Sequence, residues 1–236
     1  MKKFFQKVVS FTAVLAFLLT CTILPSEVYA GTTAKALLNK AEKKIEAATS
    51  ISGRYESYYN TYNGNDKNNI WARTWIGMFV DDDSCSYAVY LDDKQDGGWE
   101  SYAYKEREYR KAYNSSEWDS YTVNDYDSDD PTGDTFKTSL TYLVKNLKKP
   151  KIKSTTSKSY VISGTLPKGY SDYKSVSITI DKKSGAITKV KFNFKKKTRT
   201  YLNSSATYTI TGGSLTYSNI SYGNDKVVLP DELKGR

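Results

Sequence analysis

Apolar and polar residues alternate one for one through VSITIDKKSGAITKVKFNF, residues 176–194. Val176, Ile178 and Ile180 project to one side of a first strand, and Val190, Phe192 and Phe194 to one side of a second. Ser177, Thr179, Lys191 and Asn193 face the other way. Ile187 is out of phase with Val190, which predicts a bulge or wide turn after Gly185. An antiparallel sheet built this way has one dry face and one wet face.

Two segments carry a helical period instead. In AKALLNKAEKKIEAA, residues 34–48, the residues Ala34, Leu37, Leu38, Ala41, Ile45 and Ala48 form one stripe, with lysines mostly opposite. In residues 135–148, Phe136, Leu140, Leu143, Val144 and Leu147 form another, and Pro150 closes the element. Between them lie ISGRYESYY, NIWARTWIGMFV, SCSYAVYL, GWESYAYK and REYRKAY, separated by the turn formers NGND, DDD and DKQDGG. After Pro150 come SYVISGTL, KSVSITID, AITKVKFNF, ATYTI and SLTYSNISY. The fold class is therefore α+β: a single curved, largely antiparallel sheet of about ten strands packed on two main helices. A sheet of that width curls, and two short helices need not fill its concavity.

The first thirty residues read as an export signal: Lys2 and Lys3, an apolar core, and PSEVYA with its V-x-A cleavage pattern before Gly31. Residues 31–236 then form a single domain, secreted or held at the cell envelope outside the cytoplasm. LLTC ending at Cys21 is a weak lipobox; Thr20 and the better conventional site nine residues on argue against a lipid anchor there. After cleavage Cys85 is the lone cysteine and reads as a small buried hydrophobe.

The chain of 236 residues has a net charge of +9, which becomes +7 once the signal's three Lys and one Glu are removed. Residues 81–134 hold sixteen acids and five bases, whereas residues 135–236 hold twenty bases and five acids. The bases are dispersed, FKKKTRT being the one dense cluster, and no aromatic recognition motif accompanies it. This argues against nucleic acid and leaves two readings of the charge: a solvated face whose two halves partly neutralise each other, or transient contact with an anionic membrane surface or wall polymer.

The sequence contains no histidine, which removes Ser-His-Asp and Cys-His arrangements and histidine metal sites together. Glu100, Glu106, Glu108 and Glu117 are carboxylates without a recognisable catalytic setting. Asp125, Asp127 and Asp129 in NDYDSDDPTGD have D-x-D-x-D spacing, but Asp130 and Phe136 stand where a calcium loop needs Gly and Glu. No catalytic residue, metal ligand or cofactor is assigned, and the protein is read as no enzyme.

Tyrosine is the abundant aromatic, twenty after residue 30. Its ring suits apolar matter and its hydroxyl water, as at a greasy rim or a sugar platform. Trp71, Trp75 and Phe79 share one strand face and Ile76, Met78 and Val80 the other, so that strand is expected to be covered on both sides.

The order of these elements, with the hairpin ITIDKKSGAITKVKF and the closing TYSNISYGNDKVVLPDEL, resembles the LolA-like and LppX-like carriers and their secreted or lipoprotein relatives in Gram-positive bacteria. The resemblance implies a half-open barrel whose helices partly plug its mouth and whose cavity takes a lipid, an acyl chain or another hydrophobic ligand. The inward-facing residues expected to line it are Trp71, Trp75, Tyr87, Val89, Leu91, Ile162, Val176, Ile178, Phe192 and Phe194, with Leu140 and Val144 from the second helix. Two other readings stand beside it. One is a glycan or wall-polymer module stacking sugars on Tyr102, Tyr104, Tyr109 and Tyr113; the other is a protein-interaction module with a filled core.

Overall fold

The computed structural model describes residues 32–82, 86–92, 98–104, 107–112, 115–122, 136–200, 205–223 and 226–234. The export signal with Cys21, Cys85, Glu106, Tyr113 and the 124–134 loop lie outside them, as does the Trp75 side chain. From Thr33 onward the chain is one compact unit.

Helix α1 (Ala34–Ala47) begins where Thr33 Oγ1 accepts the Ala36 amide at 3.1 Å, and it buries Leu37, Leu38, Ala41 and Ile45. Helix α2 (Phe136–Asn146) buries Ser139, Leu140, Leu143 and Val144. Leu147, just past its end, is also buried. Lys145 joins the two helices through Glu46 at 2.9 Å and Glu42 at 3.4 Å.

Twelve strands form one sheet: β1 (Ser50–Asn63), β2 (Trp71–Asp82), β3 (Ser86–Asp92), β4 (Gly98–Tyr104), β5 (Arg107–Ala112), β6 (Asp119–Thr122), β7 (Lys148–Thr155), β8 (Ser159–Thr165), β9 (Tyr173–Asp181), β10 (Ile187–Phe194), β11 (Lys197–Thr200) and β12 (Thr207–Gly223). The spatial order is β6-β5-β4-β3-β2-β1-β12-β10-β9-β8-β7, with β11 also on β12, and every pair is antiparallel. This is the half-open barrel expected, with two more strands than about ten.

Several additions are short or polar. β6, β7 and β11 carry little apolar alternation, and β7 contains Pro150. Pro150 does follow the helix, but as a residue of an edge strand, where the missing N–H faces no partner. The expected bulge after Gly185 is present, a register shift between Ile187 and Lys189, and both Ile187 and Val190 are buried. The Tyr222 hydroxyl closes the bulge by accepting from Ile187 N at 3.2 Å and donating to Ile187 O at 3.1 Å.

The core lies between the helices and the inner face of β8, β9, β10, β12 and β1, reaching Phe79 on β2. Ile162, Val176, Ile178, Phe192 and Phe194 fill it from the sheet, and Leu140 and Val144 fill it from α2. Gly53 is what lets Phe79 cross β1, since a Cβ there would stand 2.9 Å from the Phe79 ring.

A candidate apolar site at the aromatic margin of the inner face

The inner face can be followed strand by strand through the register. Ile162 pairs with Ile178, Ile178 with Val190, Val190 with Tyr217, Tyr217 with Tyr55, and Tyr55 with Gly77, two residues before Phe79. Trp71 belongs to the same side of β2, because side chains repeat every second residue. Val80 and Met78 therefore face outward, and their partners Tyr87 and Val89, with Leu91 opposite Ile76, face outward with them.

This corrects the inward reading of Tyr87, Val89 and Leu91. Large residues occupy both sides of β2 and β3, so alternation alone does not say which side meets the helices. It also corrects the expectation that β2 is covered on both sides. Met78 is 66% exposed and Trp71 42% exposed, while Phe79 is buried.

Seven of the twelve residues expected to line a cavity are thus part of a solid core: Leu140, Val144, Ile162, Val176, Ile178, Phe192 and Phe194. Phe192 stacks on Tyr170 at 5.4 Å with the rings nearly parallel, and Tyr170 in turn donates to Ser139 O at 2.7 Å. Helix side chains occupy the concavity there.

Beyond the helices the same face continues as a margin of half-buried aromatics. Tyr55, Tyr59, Tyr173 and Tyr217 pack against the core without being enclosed by it. Tyr59 meets Phe194 edge-on at 5.8 Å, and Tyr173 meets Phe194 at 5.3 Å. Phe136, at the start of α2, lies 4.3 Å from Phe79 and 4.5 Å from Tyr217. Burial pushes the Tyr55 hydroxyl up to about 12, against the lowering effect of its hydrogen bond to Ser57. Tyr55 is therefore neutral at any physiological pH. Trp71 stands at the outer limit of this margin, paired across the sheet with Thr61.

Sequence reasoning named tyrosine as the residue of a greasy rim without saying which tyrosines form it. Tyr55 and Tyr217 stand opposite one another on β1 and β12, Tyr59 lies further along β1, and Tyr173 is on β9.

Among the described residues, Glu100 and Glu108 do not form a carboxylate pair. Glu100 is bonded to Lys111 at 2.7 Å and Glu108 to Arg110 at 2.7 Å. Opposite Val89 and Ala103 respectively, they occupy opposite faces of the sheet. Among the described residues no group of acidic or cysteine side chains is placed to hold a metal ion.

The tyrosines offered for sugar stacking fare differently from one another. Tyr109 is only 1% exposed and presents no ring to solvent. Tyr102 is half-buried between Tyr87 at 4.7 Å and Trp118 at 5.6 Å. Tyr104 is half-buried as well.

No family model matches the chain, and no curated protein does. Solved structures similar to it include LprF from Mycobacterium bovis, at 12% identity and TM-score 0.43, covering 85% of this chain and 99% of that one. An uncharacterised conserved protein from Thermus thermophilus has 7% identity and TM-score 0.44, covering 84% and 95%. A LolA superfamily protein from Nitrosomonas europaea has 12% identity and TM-score 0.28, covering 87% and 99%. The superfamily that the sequence resembles is thus among those represented. No helix among the described residues is long and apolar enough to cross a membrane.

Proposed function

We propose that the protein is a non-catalytic extracytoplasmic carrier or sensor that takes an acyl chain or similar apolar ligand on the aromatic margin of the inner face. The observation that carries this reading is the margin itself. Tyr59, Tyr173 and, at the limit, the exposed Trp71 continue the dry face onward from the enclosed core. Aromatic rings with one apolar side and a polar tip suit a site that is dry when occupied and wet when empty.

Transfer of an acyl chain from water to such a surface is worth about 0.8 kcal/mol per methylene buried, before ordering costs. A chain of a dozen or more carbons is needed for firm binding. The ligand contacts fall on Trp71, Tyr59 and Tyr173 rather than on Phe192, Phe194 or Ile178, which are already enclosed.

Native mass spectrometry of residues 31–236, followed by solvent extraction, is the direct test. A stoichiometric lipid is expected, and uptake of added fatty acid should fall at least tenfold in Trp71→Asp. That substitution leaves the core untouched, so its melting temperature should stay near wild type. A clean protein mass that also refuses added fatty acids and phospholipids overturns the reading.

A further inference from the structure

The outer face of β7–β10 carries a second feature, independent of the apolar site. A groove of about 520 Å³ is lined by Lys149, Lys151 and Lys153 of β7, with Ser163, Thr165, Ser175, Ser177 and Asn193 behind them. No lining residue is acidic. All three lysines are exposed, and among the described residues none of them takes part in an ion pair.

The register explains the arrangement. Lys151 pairs with Ser163, Ser163 with Ser177, and Ser177 with Lys191, so one row across four strands runs lysine, serine, serine, lysine. With strands about 4.8 Å apart, the two ammonium-bearing positions stand about 14 Å apart with hydroxyls between them. Asn193 Nδ2 donates to Ser175 Oγ at 2.8 Å, which ties two residues of the lining together across β9 and β10. Lys149 has a left-handed backbone, φ 48°, immediately before Pro150, inside the register shift between Lys148 and Lys151. A non-glycine residue held there is strained, and such strain gathers where a side chain is being aimed.

Lysines on an edge strand commonly guard a sheet against further pairing. Guarding asks nothing of the strands behind, whereas here three strands add an acid-free floor of hydroxyls and one amide. A bilayer surface would call for exposed apolar tips able to enter the headgroup region, and the one apolar side chain of the lining, Val176, is buried. Single-stranded nucleic acid would call for aromatic platforms, also missing from the lining.

We infer that this groove binds a linear polyol-phosphate or sugar-phosphate polymer, its phosphates set on the β7 lysines and Lys191 and its hydroxyls on the serine, threonine and asparagine floor. Lys151 and Lys153 flank Ile152 on one strand, Lys153 at the register shift between Ile152 and Ser154, so their cations follow one another along the chain direction. A polymer with a phosphodiester in every short repeat sets successive charges along such a line.

The test is fluorescence anisotropy of the protein with a labelled synthetic oligo(glycerol phosphate), a thymidine oligonucleotide of equal charge, and phosphatidylglycerol vesicles. The glycerol phosphate oligomer is expected to bind at least tenfold tighter than the oligonucleotide. Lys151→Ser with Lys153→Ser should weaken it at least tenfold and flatten its salt dependence. Lys195→Ser with Lys196→Ser removes the same charge from exposed positions of the β10–β11 turn and should change affinity less than twofold. Lys151→Arg with Lys153→Arg keeps the charge and should retain binding. Equal weakening by the two serine pairs, equal affinity for the oligonucleotide, preference for vesicles, or no binding by a folded protein would each overturn the assignment.

Discussion

Apart from Trp99 of the wing, which faces inward, the half of the sheet from β7 to β12 and the wing from β3 to β6 gather their described buried aromatic residues on opposite faces. In the first, Phe192, Phe194 and Tyr170 sit on the inner side beneath two helices. In the wing, Tyr87, Tyr102 and Tyr109 sit on the outer side, and Trp118, from the segment before β6, folds back against Tyr102. Lys111 completes that small cluster, its ammonium 4.6 Å from the Trp118 ring. Among the described residues, β3–β6 give the main core only Ala88 as a packing neighbour. The lesson is that the dry side of a strand is decided by what covers it, and the two regions have different covers.

Paired truncations should expose the difference most strongly. Phe192→Ala is expected to cost about 3–5 kcal/mol in urea unfolding, because a buried ring leaves a cavity that packed neighbours cannot refill. Tyr102→Ala removes ring contacts worth about 0.5–1.5 kcal/mol each and should cost clearly less. Comparable losses would mean that the wing is as tightly built as the body.

Asp81 marks the junction of the two regions. It is buried, and its Oδ2 accepts the amide of Lys137 at 3.0 Å, anchoring the first turn of α2 to the end of β2. Asp81→Ala orphans that amide and should cost about 1–3 kcal/mol by the same measurement. Asp81→Asn, which keeps an acceptor, should cost less.

Alkaline titration reports on the buried tyrosines of the sheet. Burial pushes both Tyr55 and Tyr222 from 10 up to about 12. Folding favours their neutral forms, so this contribution is fully present below pH 10 and is lost as the pH rises from 10 to 12. Absorbance at alkaline pH should show two late tyrosinates whose ionisation coincides with falling stability. Tyr87 of the wing is also raised, by burial first and then by the Glu100 charge. The smallest effect belongs to Met78→Ser, where an exposed side chain leaves water unchanged and stability should move by no more than about 0.5 kcal/mol.

The hairpin of β9 and β10, its bulge and both helices were legible because each has a single apolar period that one cover satisfies. β7 was not, since its alternating lysines read as solvent-facing loop and Pro150 as a stop. The seventeen residues of β12 read as two strands, broken at Gly212 and Gly213. Gly213 instead sits within the strand at φ 137°, where a Cβ would lie 2.1 Å from Tyr58 O, so the glycines permit close approach rather than end the element. Of the candidate site, Trp71 was found from periodicity. Tyr55, Tyr59, Tyr173 and Tyr217 needed the register between strands far apart in sequence, which no local pattern contains.

That same long-range register sets a kinetic condition. The two central strands of the sheet are β1 and β12, with Ser50 opposite Gly223, so the pair that joins body to wing closes across nearly the whole chain. Closing so large a loop costs entropy before any contact repays it, and folds dominated by such pairings form slowly. Until β12 arrives, β1 and β10 both stand as open edges, each able to pair with another chain. A partly emerged polypeptide is therefore the aggregation-prone species, and the lag between the first strand and the last is the interval during which a chaperone matters most.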